Sequence, residues 1–229
     1  MLTKRKKLSR KEIKEDKLVT IYYKAIAFFE ENKNRIAMYV GILAVLIIVI
    51  ILFMNNKKKN NEIAGTELAR VMNVYDSGNY LEAIEGRAGT KLVGLKKIVD
   101  SYGSTENGEI AKIYIANSYN NLGKLDEAYK YYQDYSGSDK IFKATALAGQ
   151  ASYQAYKKNY EKAADLYKKA AFVSDSDVLN PEYLLNAGIN YMAAGKNSDA
   201  KELFDKIKKD FTTSTAFREV DKYSVQLEQ

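Results

Sequence analysis

The sequence predicts an all-α protein in which one membrane-spanning helix precedes a stack of helix-turn-helix repeats. Three observations predict it. Residues 36–54, IAMYVGILAVLIIVIILFM, form a nineteen-residue apolar run without a charge. Beyond residue 60 there is a single proline, Pro181, and a spread of Ala, Leu, Lys, Glu and Tyr, so few residues break a helix. No sustained period-two alternation marks a strand there. Finally, a short motif centred on an alanine recurs four times, at Ala83, Ala128, Ala163 and Ala200.

At ~1.5 Å of rise per residue, nineteen helical residues reach roughly the ~30 Å of a bilayer's hydrocarbon core, and a helix satisfies its own backbone hydrogen bonds there. Residues 42–53 show no polar stripe of the kind a soluble helix turns toward water. A cleaved signal peptide would have a shorter apolar stretch and a small-residue cleavage site. Met54-Asn55-Asn56-Lys57-Lys58 offers neither, which predicts a retained anchor. Residues 1–35 carry eleven Lys or Arg against five acids, and the positive-inside bias then predicts a cytoplasmic N-terminus with the larger domain across the membrane. Within this leader, Ser9 and Glu12 are spaced as a capping box, and Leu18, Tyr22, Ile26 and Phe29 recur at helical spacing. Such a helix rests on the headgroups with Lys17 and Lys24 in water, or docks a membrane partner.

The formal charge of +7 is uneven. Residues 1–35 hold +6 (eleven minus five) and residues 55–229 hold +1 (twenty-five minus twenty-four). A basic leader beside a span is accounted for by topology and anionic lipid, so no nucleic-acid partner is expected. The chain has no cysteine and no histidine. Disulfides, Cys/His zinc sites, Ser-His-Asp triads and histidine acid/base chemistry are therefore excluded. No metal, cofactor or catalysis is expected. The carboxylate pairs Asp126-Glu127 and Asp175 with Asp177 fall in turns, where acids serve as solvated caps.

The four strings are GNYLEAI (78–84), LGKLDEAYKYYQ (122–133), NYEKAADLYKKA (159–170) and GKNSDAKELFDK (195–206). Their alanines are 45, 35 and 37 residues apart, the first interval holding an insertion. Gly78, Gly123 and Gly195 stand five residues before their alanine, where a turn closing the first helix needs positive φ. The alanines, and Ala116, Ala151 and Gly188 twelve residues earlier, are small where two helices cross. Tyr132, Tyr167 and Phe204, four residues beyond, place a ring one turn later as core packing. In the insertion, Leu92, Leu95, Ile98, Val99 and Tyr102 predict an extra helix near 90–102. Asn180-Pro181 reads as N-cap and first helical position of the fourth unit. Ser214 or Thr215 opens a last helix with Phe217, Val220 and Leu227 on one face, capping the stack. The organisation is then a basic segment (1–35), the span (36–54), a linker (55–63), the repeats (64–213) and the capping helix (214–229), with some 170 residues enough for one continuous core.

On these residues the chain resembles the tetratricopeptide repeat (TPR) family over roughly 64–210, which implies a right-handed α-solenoid. It departs at Lys158, where the turn glycine is missing, at Gln154, where Tyr119 and Tyr191 stand in other units, and at Arg70 and Arg87 in unit one. The family's geometry implies a concave face, lined by the first helix of each unit, that holds peptides or partner helices. Its lining here would be Leu68, Met72 and Tyr75; Ile113, Asn117, Asn120 and Asn121; Ser152 and Tyr156; and Leu185, Ile189 and Met192. The anchor-plus-repeats architecture is similar to the ancillary SecYEG translocon subunit (YfgM-like) family of bacterial inner-membrane proteins. That resemblance implies a single-pass inner-membrane adaptor with a periplasmic repeat domain, in contact with the translocon, exported proteins and periplasmic chaperones. The alternatives are a coordinator of envelope assembly, similar in repeat content to the periplasmic partner of Tol-Pal or to outer-membrane assembly lipoproteins, and a cytosol-facing scaffold of inverted topology.

Overall fold

A computed structural model describes residues 10–174, 176 and 178–227. Among them the regular elements are all helices: α1 (Arg10–Asp76), α2 (Tyr80–Glu85), α3 (Leu95–Tyr102), α4 (Glu106–Asn121), α5 (Leu125–Asp134), α6 (Lys140–Tyr156), α7 (Tyr160–Val173), α8 (Leu179–Ala193), α9 (Asn197–Asp210) and α10 (Thr215–Leu227). The all-α expectation therefore holds, with one isolated bridge between Gly86 and Val93. The chain divides into two compact units, Met1–Asn56 and Lys57–Gln229.

In the first unit α1 carries the apolar run. An 18-residue stretch has a mean hydropathy of 3.2 and none of it is buried, so this helix is long and apolar enough to cross a membrane. Tyr22, Ile26 and Phe29 are exposed on it, as are Lys17 and Lys24. The Ser9–Glu12 pairing and the Leu18 side chain lie outside the described residues. Residues 55–63, expected as a linker, are helical. They contain no glycine or proline, so nothing interrupts a helix already formed on both sides.

The second unit is a succession of helical hairpins: the last part of α1 with α2, α4 with α5, α6 with α7, and α8 with α9. Each helix from α3 to α9 packs on the next, and α10 lies on both α8 and α9. All four hairpins close in one way. Gly78, Gly123, Lys158 and Gly195 have φ of 77°, 72°, 62° and 73°. The amide of each donates to the carbonyl three residues back at 2.9–3.0 Å, and the next amide to the carbonyl five back at 2.8–3.2 Å. These two bonds satisfy carbonyls that the end of a helix leaves without partners, the Schellman arrangement. The following residue then starts the second helix by accepting the amide of Ala83, Ala128, Ala163 or Ala200 at 2.9–3.1 Å. Lys158 adopts the glycine conformation because the same pair of bonds holds it there.

The motif alanines are equivalent in burial as well, 0, 2, 0 and 0 % exposed in chain order. Ala116, Ala151 and Gly188 face them and are also buried. At Gly188 a Cβ would overlap the ring of Phe204, which is 1 % exposed, so the ring lies directly on the α8 backbone. Gly149 admits the ring of Tyr132 in the same manner. Between hairpins the contacts are polar: the Tyr153 hydroxyl donates to Asp126 and that of Tyr191 to Asp165 at 2.6 Å, while Lys196 pairs with Glu161.

Some expectations change. The fourth unit's first helix begins at Leu179, not at Pro181, and Asn180 does not cap it; its side chain exchanges hydrogen bonds with Ser174, and the Ser176 hydroxyl accepts the Leu179 amide instead. Pro181 still falls in the first turn, where its missing N–H has no partner to lose. The buried apolar residues form two clusters, Ala64 to Ala146 and Ala164 to Val220, in place of one continuous core. At the α6–α7 crossing the buried side chains are Ala144, Ala151, Ala163 and Ala170, too small to bridge the clusters, with Gln154 bonded to Tyr129 and Asn159. Unit one departs as its arginines indicated. Gly86, with φ of 82°, ends α2 after six residues, leaving Arg87 exposed on Glu82, and on α1 Arg70 is exposed and paired with Glu67. The inserted helix appears as α3 with Leu95 and Ile98 buried, and α10 is capped by Ser214, whose hydroxyl accepts the Phe217 amide.

Two stability results follow from the turns and the crossing. Nothing lies within 4 Å of a Cβ built at Gly123, so Gly123→Ala costs only the left-handed backbone strain, about 1 kcal/mol, and Lys158→Gly gains a similar amount; denaturant titration checks both. Gly188→Ala forces the Phe204 ring aside in a filled core and costs about 1–3 kcal/mol, read as a lowered unfolding midpoint.

Candidate functional site

The first helices of successive hairpins lie side by side. Tyr75 of α1 meets Tyr114 of α4 edge to face, centroids 5.0 Å apart, and Tyr114 meets Phe142 of α6 at 6.3 Å. The Tyr183 hydroxyl of α8 lies beside the Thr145 side chain of α6. These contacts define one surface running across α1 (from residue 57), α4, α6 and α8.

The twelve residues expected on this surface divide into three groups. Asn120, Asn121, Ser152 and Tyr156 are exposed. Met72, Tyr75, Asn117, Ile189 and Met192 are half-buried. Leu68, Ile113 and Leu185 are corrected: at 7, 1 and 3 % exposure they belong to the core and offer nothing to a ligand. They share one place in their hairpins, ten residues before the left-handed turn residue, where the first helix turns from the open surface toward its own partner helix.

A hydrogen-bond network runs beneath the exposed residues. The Tyr132 hydroxyl donates to Asn117 Oδ1 at 2.6 Å, and the Asn117 side chain also lies beside Tyr75 of α1. Asn117 thereby links α4 to α5, so its side-chain carbonyl is engaged and not open to grip a peptide. Its carbonyl accepts from Asn121 Nδ2 at 2.9 Å. The Tyr167 hydroxyl of α7 lies beside the Ser152 side chain. Burial pushes the hydroxyls of Tyr132, Tyr167 and Tyr183 above the ordinary tyrosine range, and the neighbouring Tyr75, Tyr183 and Tyr167 add to the effect at Tyr132. Sequence reasoning read Tyr132 and Tyr167 as core rings only and missed Tyr114 and Tyr183. The spacing of Tyr114 three residues before Asn117 was the available signal.

Other polar groups serve the fold. Glu109 and Lys112 are buried in α4, where Glu109 accepts the Ser136 amide at 2.7 Å and Lys112 pairs with Glu109 and Asp134, both at 2.9 Å. Burial opposes the Lys112 charge, but its bonds to Asp134 and Glu109 outweigh that and raise its pKa. Asp126 is occupied by Tyr153 and Lys157, which lower its pKa; Asp175 and Asp177 lie outside the described residues. Among the described residues no group of three or more Asp or Glu is placed to hold a metal.

Two grooves open on the turn edge at equivalent seams. One, about 590 Å³, lies where the first hairpin meets the second and includes Leu81 and Leu122. The other, about 570 Å³, lies where the third meets the fourth and has Glu161 and Ala194 at the same places relative to the motif alanines. Comparison with family models, with curated proteins and with solved structures gives no match.

The tyrosine network has a pH signature. Tyr132 has its pKa raised in the folded chain above the unfolded value of about 10, so its contribution is present below that pH and lost as pH rises beyond it. Stability is expected to hold to about pH 9 and fall above pH 10, with Tyr132→Phe reducing the slope by up to about 1.4 kcal/mol per pH unit. The same variant strands Asn117 Oδ1 and costs about 1 kcal/mol at neutral pH. Denaturant titrations across alkaline pH, with tyrosinate absorbance alongside, measure both.

Proposed function

We propose that the chain is a non-catalytic, membrane-anchored adaptor of TPR type, a right-handed solenoid that binds proteins or peptides on the surface of its first helices. The observation that carries this reading is the fourfold recurrence of one turn geometry with a buried alanine five residues later. Hairpins so repeated place the same helix face on one side of a stack, and such faces are used to hold extended segments or partner helices. The apolar, uncovered stretch of α1 with lysines and arginines on both flanks favours a single span, and the basic leader favours a cytoplasmic N-terminus. In this reading the protein sits in a bacterial inner membrane with its hairpins in the periplasm, near the translocon, where exported chains and chaperones are met.

The test is site-specific photo-crosslinking in intact membranes. Probes at Asn120 and Ser152 are expected to capture exported proteins or chaperones, and probes within residues 19–54 translocon subunits. Capture of peptidoglycan-bound or outer-membrane assembly proteins from Asn120 and Ser152 would move the function to envelope assembly. Protease protection of residues 57–229 in sealed vesicles fixes the side of the membrane.

A further inference from the structure

The surface of the first helices differs from the rest of the hairpins in charge. In the whole chain 28 % of residues are charged. In the register of Asn117 and its neighbours one and two turns away on the same face, α1, α4, α6 and α8 present no lysine or arginine, and the acids there are Glu182 of α8 and the exposed Asp76 of α1. The lysine within α4, Lys112, is buried in its pairs with Glu109 and Asp134 and does not reach this surface.

Beneath the surface the Tyr132 hydroxyl is already paired with Asn117, and the hydroxyls of Tyr167 and Tyr183 lie beside the polar side chains of Ser152 and Thr145. An apolar or aromatic side chain can cover these rings without leaving a donor or acceptor unsatisfied. A carboxylate laid on the same rings would lose water and meet no cation, the unfavourable desolvation of an unpaired charge. A lysine or arginine would meet tyrosine ring faces and Glu182 instead. At the edge of the surface Asn120 and Asn121 stand exposed, amides suited to the backbone of an extended chain.

We propose that this surface takes extended polypeptide segments that are rich in apolar and aromatic side chains and free of acidic ones. The proposal rests on the peptide-binding reading above and adds the ligand's chemistry to it. The test uses the full chain in nanodiscs of zwitterionic lipid, titrated into rhodamine-labelled peptides of equal length, with empty nanodiscs as the blank. One peptide alternates Leu and Phe with Ser and Gly; in the second the serines are lysines, and in the third glutamates. The neutral and lysine peptides are expected to bind and the glutamate peptide to bind at least about tenfold more weakly. Asn120→Lys and Asn121→Lys, at exposed positions that tolerate substitution, are each expected to narrow that gap. A glutamate peptide bound as tightly as the neutral one, or a gap that neither lysine variant narrows, overturns this proposal and leaves peptide binding itself intact. Absence of binding by all three peptides overturns both.

Discussion

Each hairpin depends on one backbone constraint: a single residue must enter the left-handed region so that two consecutive amides can turn back onto the end of the first helix. Those bonds end the helix at a fixed point and start its partner two residues later. The distance from turn to crossing is then the same in every hairpin, and an alanine meets the first helix at that distance each time. Were the turn longer or looser, the small side chains of the two helices would fall out of step and their axes could not approach. Three hairpins use glycine for the turn. Lys158 shows that the hydrogen bonds, and not the glycine, set the geometry, with glycine relieving strain where it is present.

Packing between hairpins is of a different kind. Inside the second to fourth hairpins the contact is alanine on alanine or glycine with a ring beside it, as Phe204 lies on Gly188. From one hairpin to the next, tyrosine hydroxyls on carboxylates and lysines on acids join the outer edges. The Lys157–Asp126 and Lys196–Glu161 pairs are exposed, and pairs of that kind add little free energy. They set register more than strength. At the first seam Leu81 and Leu122 stand where Asp126 and Lys157 pair at the second, so the same place in the stack is apolar at one end and charged further along.

The hydroxyl network under the first helices joins these two levels. Tyr132 leaves α5, lies against α6 at Gly149, and ends on Asn117 of α4, beside which Tyr75 stands. One side chain thus joins three helices of two hairpins, with its hydroxyl buried beneath the surface of the first helices. Anything that covers this surface rests on groups that also determine how the hairpins stack.

Much of this was legible in the chain itself. Local rules set the helices, the turns and the small residues at crossings, because a left-handed turn, a helix end and a close crossing each demand particular residue types within a few positions. The apolar run was legible for the same reason, being a property of consecutive residues. Tertiary contacts decided the rest. Whether Leu68, Ile113 and Leu185 face a ligand or the core depends on the angle at which one helix meets another, which no single helix encodes. The split of the core followed from how little bulk four alanines bring together at the α6–α7 crossing. The engagement of Asn117 arose from a tyrosine fifteen residues away folding back across it. The sequence by itself determined the repeating unit, because that unit is built from short-range bonds; only the tertiary structure decided which faces of the units are covered, because covering is a matter of what lies opposite.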